Sequence, residues 1–445
     1  MLFRSNNKDD LAPVIFDLAH HFIEGGDSDR AIIFTYPSGI MAMARYANED
    51  ALNYFNLTLK ILEDKGLEKT AQWIRIAINI SNIYLTVGKY DQAIQLLLEV
   101  APLLSDRNQR ADVFSNISAA YFRKGDWIKC EEYAIQAGTL LGERFPDSTA
   151  FLIAAIFKEL LLLFINLIIP GVLIRFMKEK TVENNKLRAK FSLPVLRTYL
   201  YTNILKFTRF TLRAHNVAIS KIGKSSELAM AIGGLGNILM ALTRFTLANR
   251  YHRKALALRE SLDDQWGAAQ SYQWLGYCYQ WSGNYHKSIE CFDESSRRFK
   301  SMGDIFEITN SCAALIHNHL LIADYHAVNQ YLDQYFSLIT ETNDFFGTNM
   351  AWILSTPFFL ETGDLDTAET LGIAAYNYSM DAKIMFLHCM SCIELGRVYL
   401  EKRDIRRAIE FLEHARDIYM ENRFLKHYTV HCFPWLTEAY LAEYL

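Results

Sequence analysis

From residue 193 onward, apolar and small residues fall three, one and three apart, pause at a polar turn, and resume. In the stretch SYQWLGYCYQWSGNYHKSIECFDESSRRF, Tyr272, Leu275, Gly276 and Tyr279 share one helical face. Gly283 and Asn284 break that helix, and a second follows with Ser288, Ile289 and Phe292 inward. The whole unit recurs every forty residues. One column reads Tyr199, Leu239, Tyr279, His319, Phe359, Tyr399, and another, nine residues on, reads Thr208, Ala248, Ser288, Val328, Ala368, Ala408. The mostly small second column lets the paired helices approach, and the large first column fills the space beside it. Asp324, Asp364 and Asp404 stand at the turns. A fixed period of this length predicts an all-α chain of helical hairpins stacked into a solenoid.

The best-kept units are ELGRVYLEKRDIRRAIEFLEHA, with Leu395, Gly396, Tyr399, Ala408 and Ala415, and the one around Leu275. These resemble the tetratricopeptide repeat, which implies a right-handed superhelix of helical hairpins. Earlier copies keep the pattern at a shorter step: Tyr84, Gly88 and Ala93 are followed 37 residues later by Tyr121, Gly125 and Cys130. The predicted organisation is N-terminal helical repeats over 1–144, an apolar and basic connector over 145–192, and forty-residue repeats over 193–445.

The order of segments extends the resemblance. LAPVIFDLAHHFIEGGDSDRAIIF followed by YANEDALNYFNLTLKILE is similar to the start of the repeat region that follows the nucleotide-binding module of STAND-type ATPases. In such proteins the repeats accompany cyclase or kinase domains and act as sensors. The resemblance therefore implies a non-catalytic scaffold or sensor, serving an ATPase, kinase or cyclase domain in cis or in trans. Any such activity would reside in a domain absent from this chain.

The resemblance also implies that the first helix of each hairpin lines a concave groove. Residues beside the glycine column then face a protein or peptide ligand: Asn237, Tyr277, His317, Pro357 and Arg397, with Gln273, Gln280, Trp281 and Asn310 nearby. Aromatics supply contact area and amides satisfy a ligand's backbone. The alternative is that Tyr277 and Trp281 bury between neighbouring repeats. Pro357 removes a backbone donor and is expected to bend its helix.

Composition narrows the picture. Seven cysteines with no secretory leader at MLFRSNNKDD point to a reducing cytoplasm. Cys312, Cys392 and Cys432 share one interior column, so the Cys389–Cys392 pair reads as core and no metal is expected. Gly223-Lys224-Ser225 lacks the leading glycine of a phosphate loop and reads as a turn. No catalytic set and no cofactor site emerges.

Two features stand outside the period. The apolar run Leu160–Ile174 is shorter than the ~20 residues a spanning helix needs. It reads as a buried connector or as an interfacial segment, with Arg175, Lys178 and Lys180 placed to meet anionic headgroups. Between Arg175 and Arg259, seventeen basic residues face only Glu179, Glu183 and Glu227, in a chain of net charge −4. This block either meets acidic flanks or steers an anionic partner. Without a recognised binding module, nucleic acid is not expected. Peripheral membrane attachment through 160–174 and 175–259 is the alternative function.

Overall fold

The computed structural model describes residues 14–145, 148–169, 185–188, 192–221, 223–342, 345–382, 384–422 and 426–445. Arg175, Lys178 and Lys180 lie outside the described residues. Among the described residues the chain is helical, without strands.

The first helices are α1 (Ile15–Glu24), α2 (Ser28–Ala44), α3 (Asn48–Asp64), α4 (Ala71–Thr86), α5 (Tyr90–Val100), α6 (Arg107–Lys124) and α7 (Trp127–Leu140). Then come α8 (Thr149–Ile168), α9 (Ser192–Thr202) and α10 (Ile204–Lys221). The forty-residue hairpins follow: α11 (Ser226–Ala241) with α12 (Phe245–Ser261), α13 (Gln265–Trp281) with α14 (Tyr285–Met302), and α15 (Ile305–Leu321) with α16 (Tyr325–Thr342). The last are α17 (Phe345–Glu361) with α18 (Leu365–Ala382), α19 (Met385–Glu401) with α20 (Ile405–Asn422), then α21 (Lys426–Thr429) and α22 (Cys432–Tyr444).

The turn chemistry repeats with the hairpins. Thr243, Gly283, Ala323, Gly363 and Arg403, forty residues apart, all adopt left-handed φ values between 57° and 87°. The next residue commonly caps the second helix: Asp324, Asp364 and Asp404 accept from the amides of Ala327, Thr367 and Arg407 at 3.1–3.2 Å. Inside each hairpin the helices close on small residues. Ala248, Ser288, Ala368 and Ala408 are fully buried. A Cβ on Gly276 would stand 2.7 Å from the Phe292 ring, and one on Gly396 would stand 2.4 Å from Leu412. Only glycine admits those side chains. Pro357 does not end its helix: α17 runs continuously through it, with the proline buried.

The stack curls until distant repeats touch. Asp304, between α14 and α15, receives both ends of the Arg123 guanidinium from α6 at 3.1 Å. It also accepts from Trp266 Nε1 at 2.9 Å and caps α15 through the Glu307 amide. Asn48 Nδ2 donates to the Met302 carbonyl across 254 positions of sequence. The Asp304 and Arg123 side chains are 2% and 14% exposed, so this pair forms a shielded clasp between N-terminal and C-terminal repeats.

The connector region is built differently. Helix α8 packs against α10, held by Glu159, whose carboxylate accepts from Asn216 Nδ2 at 2.8 Å and faces Arg213 at 3.7 Å. Its other face is open: Ile153, Phe157, Leu160, Leu161, Phe164 and Ile168 run along it, with Phe157 70% and Phe164 59% exposed. The expectation of a buried connector fails on that face. Among the described residues, no helix is long and apolar enough to cross a membrane.

Part of the basic block turns inward rather than toward solvent. Arg188 pairs with Glu143, Arg197 with Glu307 at 2.6 Å and Lys206 with Glu131 at 2.7 Å, while Arg213 reaches Glu143 at 3.5 Å. These four cations meet acidic residues as the first of the two charge readings expects, whereas Lys186, Lys224, Arg244, Arg250, Arg253 and Lys254 are exposed.

Candidate functional site

The curl brings first helices α13, α15, α17 and α19 around an interior space that α9 and α21 help to close. Tyr277, Trp281, Asn310 and His317 line one cavity there, of about 70 Å³. Facing them are residues the repeat register did not single out: Tyr201, Phe346, Phe386 and Tyr428. Their rings form a connected seam. Tyr277 lies 5.9 Å from Trp281, Trp281 lies 5.8 Å from Tyr428, Tyr428 lies 5.8 Å from Phe386, and Phe386 lies 5.3 Å from Tyr201. Offset and edge-to-face pairs of this kind hold rings firmly while leaving faces for a further contact.

Neighbouring cavities share walls with this one. A space of about 40 Å³ holds Gln273, Trp274, Tyr277 and Asn310, and a further one of about 50 Å³ holds Asn237, Trp274, His252 and Arg259. On the other side, a space of about 320 Å³ is lined by His317, Glu394, Arg397, Tyr428 and Trp435. Trp274 and Tyr277 separate the first cavities, and His317 and Tyr428 the last. The interior is thus a set of adjoining cavities that share walls.

Within it the expected groove residues divide. Tyr277, Trp281, Asn310, His317 and Arg397 are partly exposed, whereas Asn237, Gln273 and Gln280 are buried. Gln273 Nε2 is used within the fold, donating to the Glu307 carbonyl at 3.1 Å and to Ser311 Oγ at 3.0 Å. Gln280 Oε1 accepts from Asn318 Nδ2 at 3.1 Å, which leaves its amide nitrogen against His317 Nδ1 at 2.6 Å. An amide nitrogen can only donate, so His317 must be a neutral ring that accepts at Nδ1. Burial agrees, pushing the imidazole down to about 4. Arg397 is held by Glu361 at 2.7 Å and Glu394 at 2.8 Å, and lies 4.8 Å from the Trp435 ring. Burial raises the Glu394 carboxyl above its ordinary range.

The cysteines sit where the column places them. Cys389, Cys392 and Cys432 share one apolar cluster with Ile393 and Ile418. The metal-capable grouping differs from the CxxC: ligand atoms of His388, Cys392 and His414 lie within 4.8 Å of one another. Burial pushes the Cys392 thiol up to about 12. Ser225, of the Gly-Lys-Ser triplet, caps α11 by accepting from the Leu228 amide at 3.2 Å.

Comparison with known proteins agrees with this architecture. Residues 269–298, from α13 to α14, match the tetratricopeptide repeat family. No curated protein sequence matches the chain. A Rap protein complexed with Competence and Sporulation Factor is similar in fold, with TM-score 0.54 and 11% identity over 88% of this chain and 98% of that one. A STAND protein with a tetratricopeptide repeat sensor from Pyrococcus horikoshii aligns at TM-score 0.34 and 15% identity, over 99% of this chain and 55% of that one. Aspartyl phosphate phosphatase F from Bacillus subtilis aligns at TM-score 0.45 and 10% identity, over 87% and 94%. The chain is an all-α solenoid of tetratricopeptide-like hairpins, a fold typical of protein-interaction scaffolds and sensors.

Proposed function

We propose that this tetratricopeptide solenoid is a non-catalytic sensor that binds a peptide segment along its interior. The observation that carries the reading is the aromatic seam. Tyr277, Trp281, Tyr428, Phe386 and Tyr201 come from four helices and converge on one cavity, while also packing against neighbouring core clusters. Aromatic faces with a few polar groups such as Asn310 suit an extended chain with mixed side chains. A similar fold, the Rap protein, has been solved with Competence and Sporulation Factor.

Occupancy would be transmitted through the clasp. A peptide wedged between α13 and α19 changes the curl that lets Arg123 reach Asp304, and so alters how the two ends of the stack present themselves. The output domain we assign is the ATPase, kinase or cyclase of a STAND-type signalling system, on the strength of the segment order in the N-terminal part of the chain.

The test is selection of peptides from a random decapeptide display library on the purified chain, followed by measured affinities. The double variant Tyr277→Ala, Trp281→Ala should weaken a selected peptide by about tenfold or more. Unchanged affinity would remove the interior from the account.

One observation favours a second reading, that of a membrane-peripheral adaptor: the open apolar stripe of α8. It predicts salt-sensitive binding to vesicles with about 30% phosphatidylserine, weakened by charge reversal at Arg175, Lys178 and Lys180. Equal binding by the reversed variant would count against it.

A further inference from the structure

Helices α18, α19 and α20 bring together three side chains that can hold a metal. His388 and Cys392 stand one turn apart on α19, and His414 reaches them from α20. Their ligand atoms lie within 4.8 Å of one another. None of the three lines the interior cavities described above, so the cluster is separate from the peptide reading.

Hydrogen bonding sets the state of the first of these groups. Ser379 Oγ, on α18, donates its one proton to the Tyr376 carbonyl at 2.9 Å. Toward His388 Nδ1, at 3.0 Å, the hydroxyl can therefore only accept. Nδ1 carries the ring proton, and Nε2 keeps its lone pair. An imidazole that ligates a metal through one nitrogen is ordinarily held in this way at the other. Burial and the neighbouring His414 ring push His388 down to about 4, so the ring is neutral. Its orientation is fixed by the Tyr376 ring at 4.6 Å and by His414, edge-on at 5.2 Å.

The two nearby thiols are used differently. Cys389 Sγ donates to the Ala415 carbonyl at 3.4 Å, whereas Cys392 joins the histidines. His388 and Cys392 are 3% and 0% exposed, while His414 is exposed and leaves the cluster open on its own side. Two imidazoles and a thiol, without a carboxylate, suit zinc and not magnesium or calcium. Zinc takes nitrogen at about 2.0–2.1 Å and sulfur at about 2.3 Å, which sets tetrahedral ligands about 3.4–3.6 Å apart. A rotation of the exposed His414 side chain supplies that closing-up.

We propose that His388, Cys392 and His414 bind one zinc ion, with water in the fourth position on the exposed side. Binding forms the zinc–sulfur bond and breaks the Cys392 S–H bond, whose proton passes to the buffer. The ion ties α19 to α20 and, through Ser379, to α18.

The test uses the untagged full chain, stripped of metal and kept reduced with a phosphine, and titrated with cobalt(II) as a coloured substitute for zinc. Wild type should take up one equivalent, with the thiolate-to-cobalt charge-transfer band and the visible bands of a tetrahedral site, and added zinc should displace it. His414→Ala, at an exposed position, should keep the wild-type melting profile without metal and weaken cobalt binding by about tenfold or more. Cys392→Ser should abolish the charge-transfer band, and Cys389→Ser should leave it in place. Ser379→Ala should weaken binding by about tenfold through loss of the His388 tautomer, without removing the band. The proposal is overturned if wild type gives no charge-transfer band, if folded His414→Ala binds cobalt as wild type does, or if the band is lost with Cys389→Ser and kept with Cys392→Ser.

Discussion

The interior seam and the outer face of α8 are both rich in large apolar side chains, yet the fold treats them in opposite ways. Around Tyr277 and Trp281, rings from several helices meet each other and leave a cavity of about 70 Å³ between them. Along α8, Phe157, Leu161 and Phe164 are exposed and meet no comparable wall among the described residues, and the helix is held on its far side, where Glu159 accepts from Asn216. Exposed aromatic surface alone therefore does not identify the ligand site. Enclosure, with polar groups fixed in a known hydrogen-bonding state, marks the interior. An open apolar stripe marks a surface whose covering is a separate question.

The sharpest way to break this comparison is to undo the closure of the interior. Asp304→Ala leaves Arg123 buried without its carboxylate, frees Trp266 Nε1 and uncaps α15. It should cost about 3–5 kcal/mol in urea unfolding. It should also raise the accessibility of the interior to a fluorescence quencher while leaving α8 unchanged. A loss below about 1 kcal/mol would mean that the clasp does not hold the curl.

Acid should loosen the interior next. Burial holds His317 down to about 4, as it does His215 and His388, and holds His252 down to about 3, while in the unfolded chain each takes its proton near 6.5. The neutral buried ring thus contributes stability that is complete above pH 6.5 and is lost as pH falls toward 4. Each ring contributes up to about 1.4 kcal/mol per pH unit in that window. His317→Asn should flatten the measured slope of unfolding free energy against pH between 6.5 and 4. An unchanged slope would place a proton on the folded ring and contradict the Gln280 bonding.

A smaller effect tests the hairpin packing beneath the seam. Gly276→Ala drives a Cβ to 2.7 Å from the Phe292 ring, which also packs on Tyr277 at 4.9 Å. Overpacking of this kind costs about 1–3 kcal/mol. Urea unfolding measures the loss, and a neutral outcome would show that the pair can separate freely. The smallest expected change is on the outer face. Phe157→Glu, at a side chain already in solvent, should stay within about 0.5 kcal/mol of wild type. A larger loss would mean that the α8 stripe is covered in solution.

The repeat register made much of this legible in advance. It located the hairpins, the turn aspartates, the buried cysteines and one wall of the interior, because each depends on contacts within a repeat or between adjacent ones. It did not locate Tyr201 on α9 or Tyr428 on α21, which lie outside well-kept repeats and reach the seam only when the stack curls. Nor did it find the Arg123–Asp304 clasp, 181 positions apart, since no periodicity links its two members. Gln273 and Gln280 stand at groove-facing positions of the register, but their amides join neighbouring repeats. A row number gives the face of a helix and does not say how far the curl closes over it. The basic block was visible as a charge count, and only the fold shows that Arg197 and Arg213 face acids of other helices.

The central claim is that the interior, rather than the α8 face, receives the ligand. Hydrogen–deuterium exchange of the full chain, with and without a selected peptide, tests it most directly. The account predicts slower exchange in residues 265–281, 305–321 and 385–401 on peptide addition, with residues 149–168 unchanged. Protection confined to residues 149–168 would contradict it.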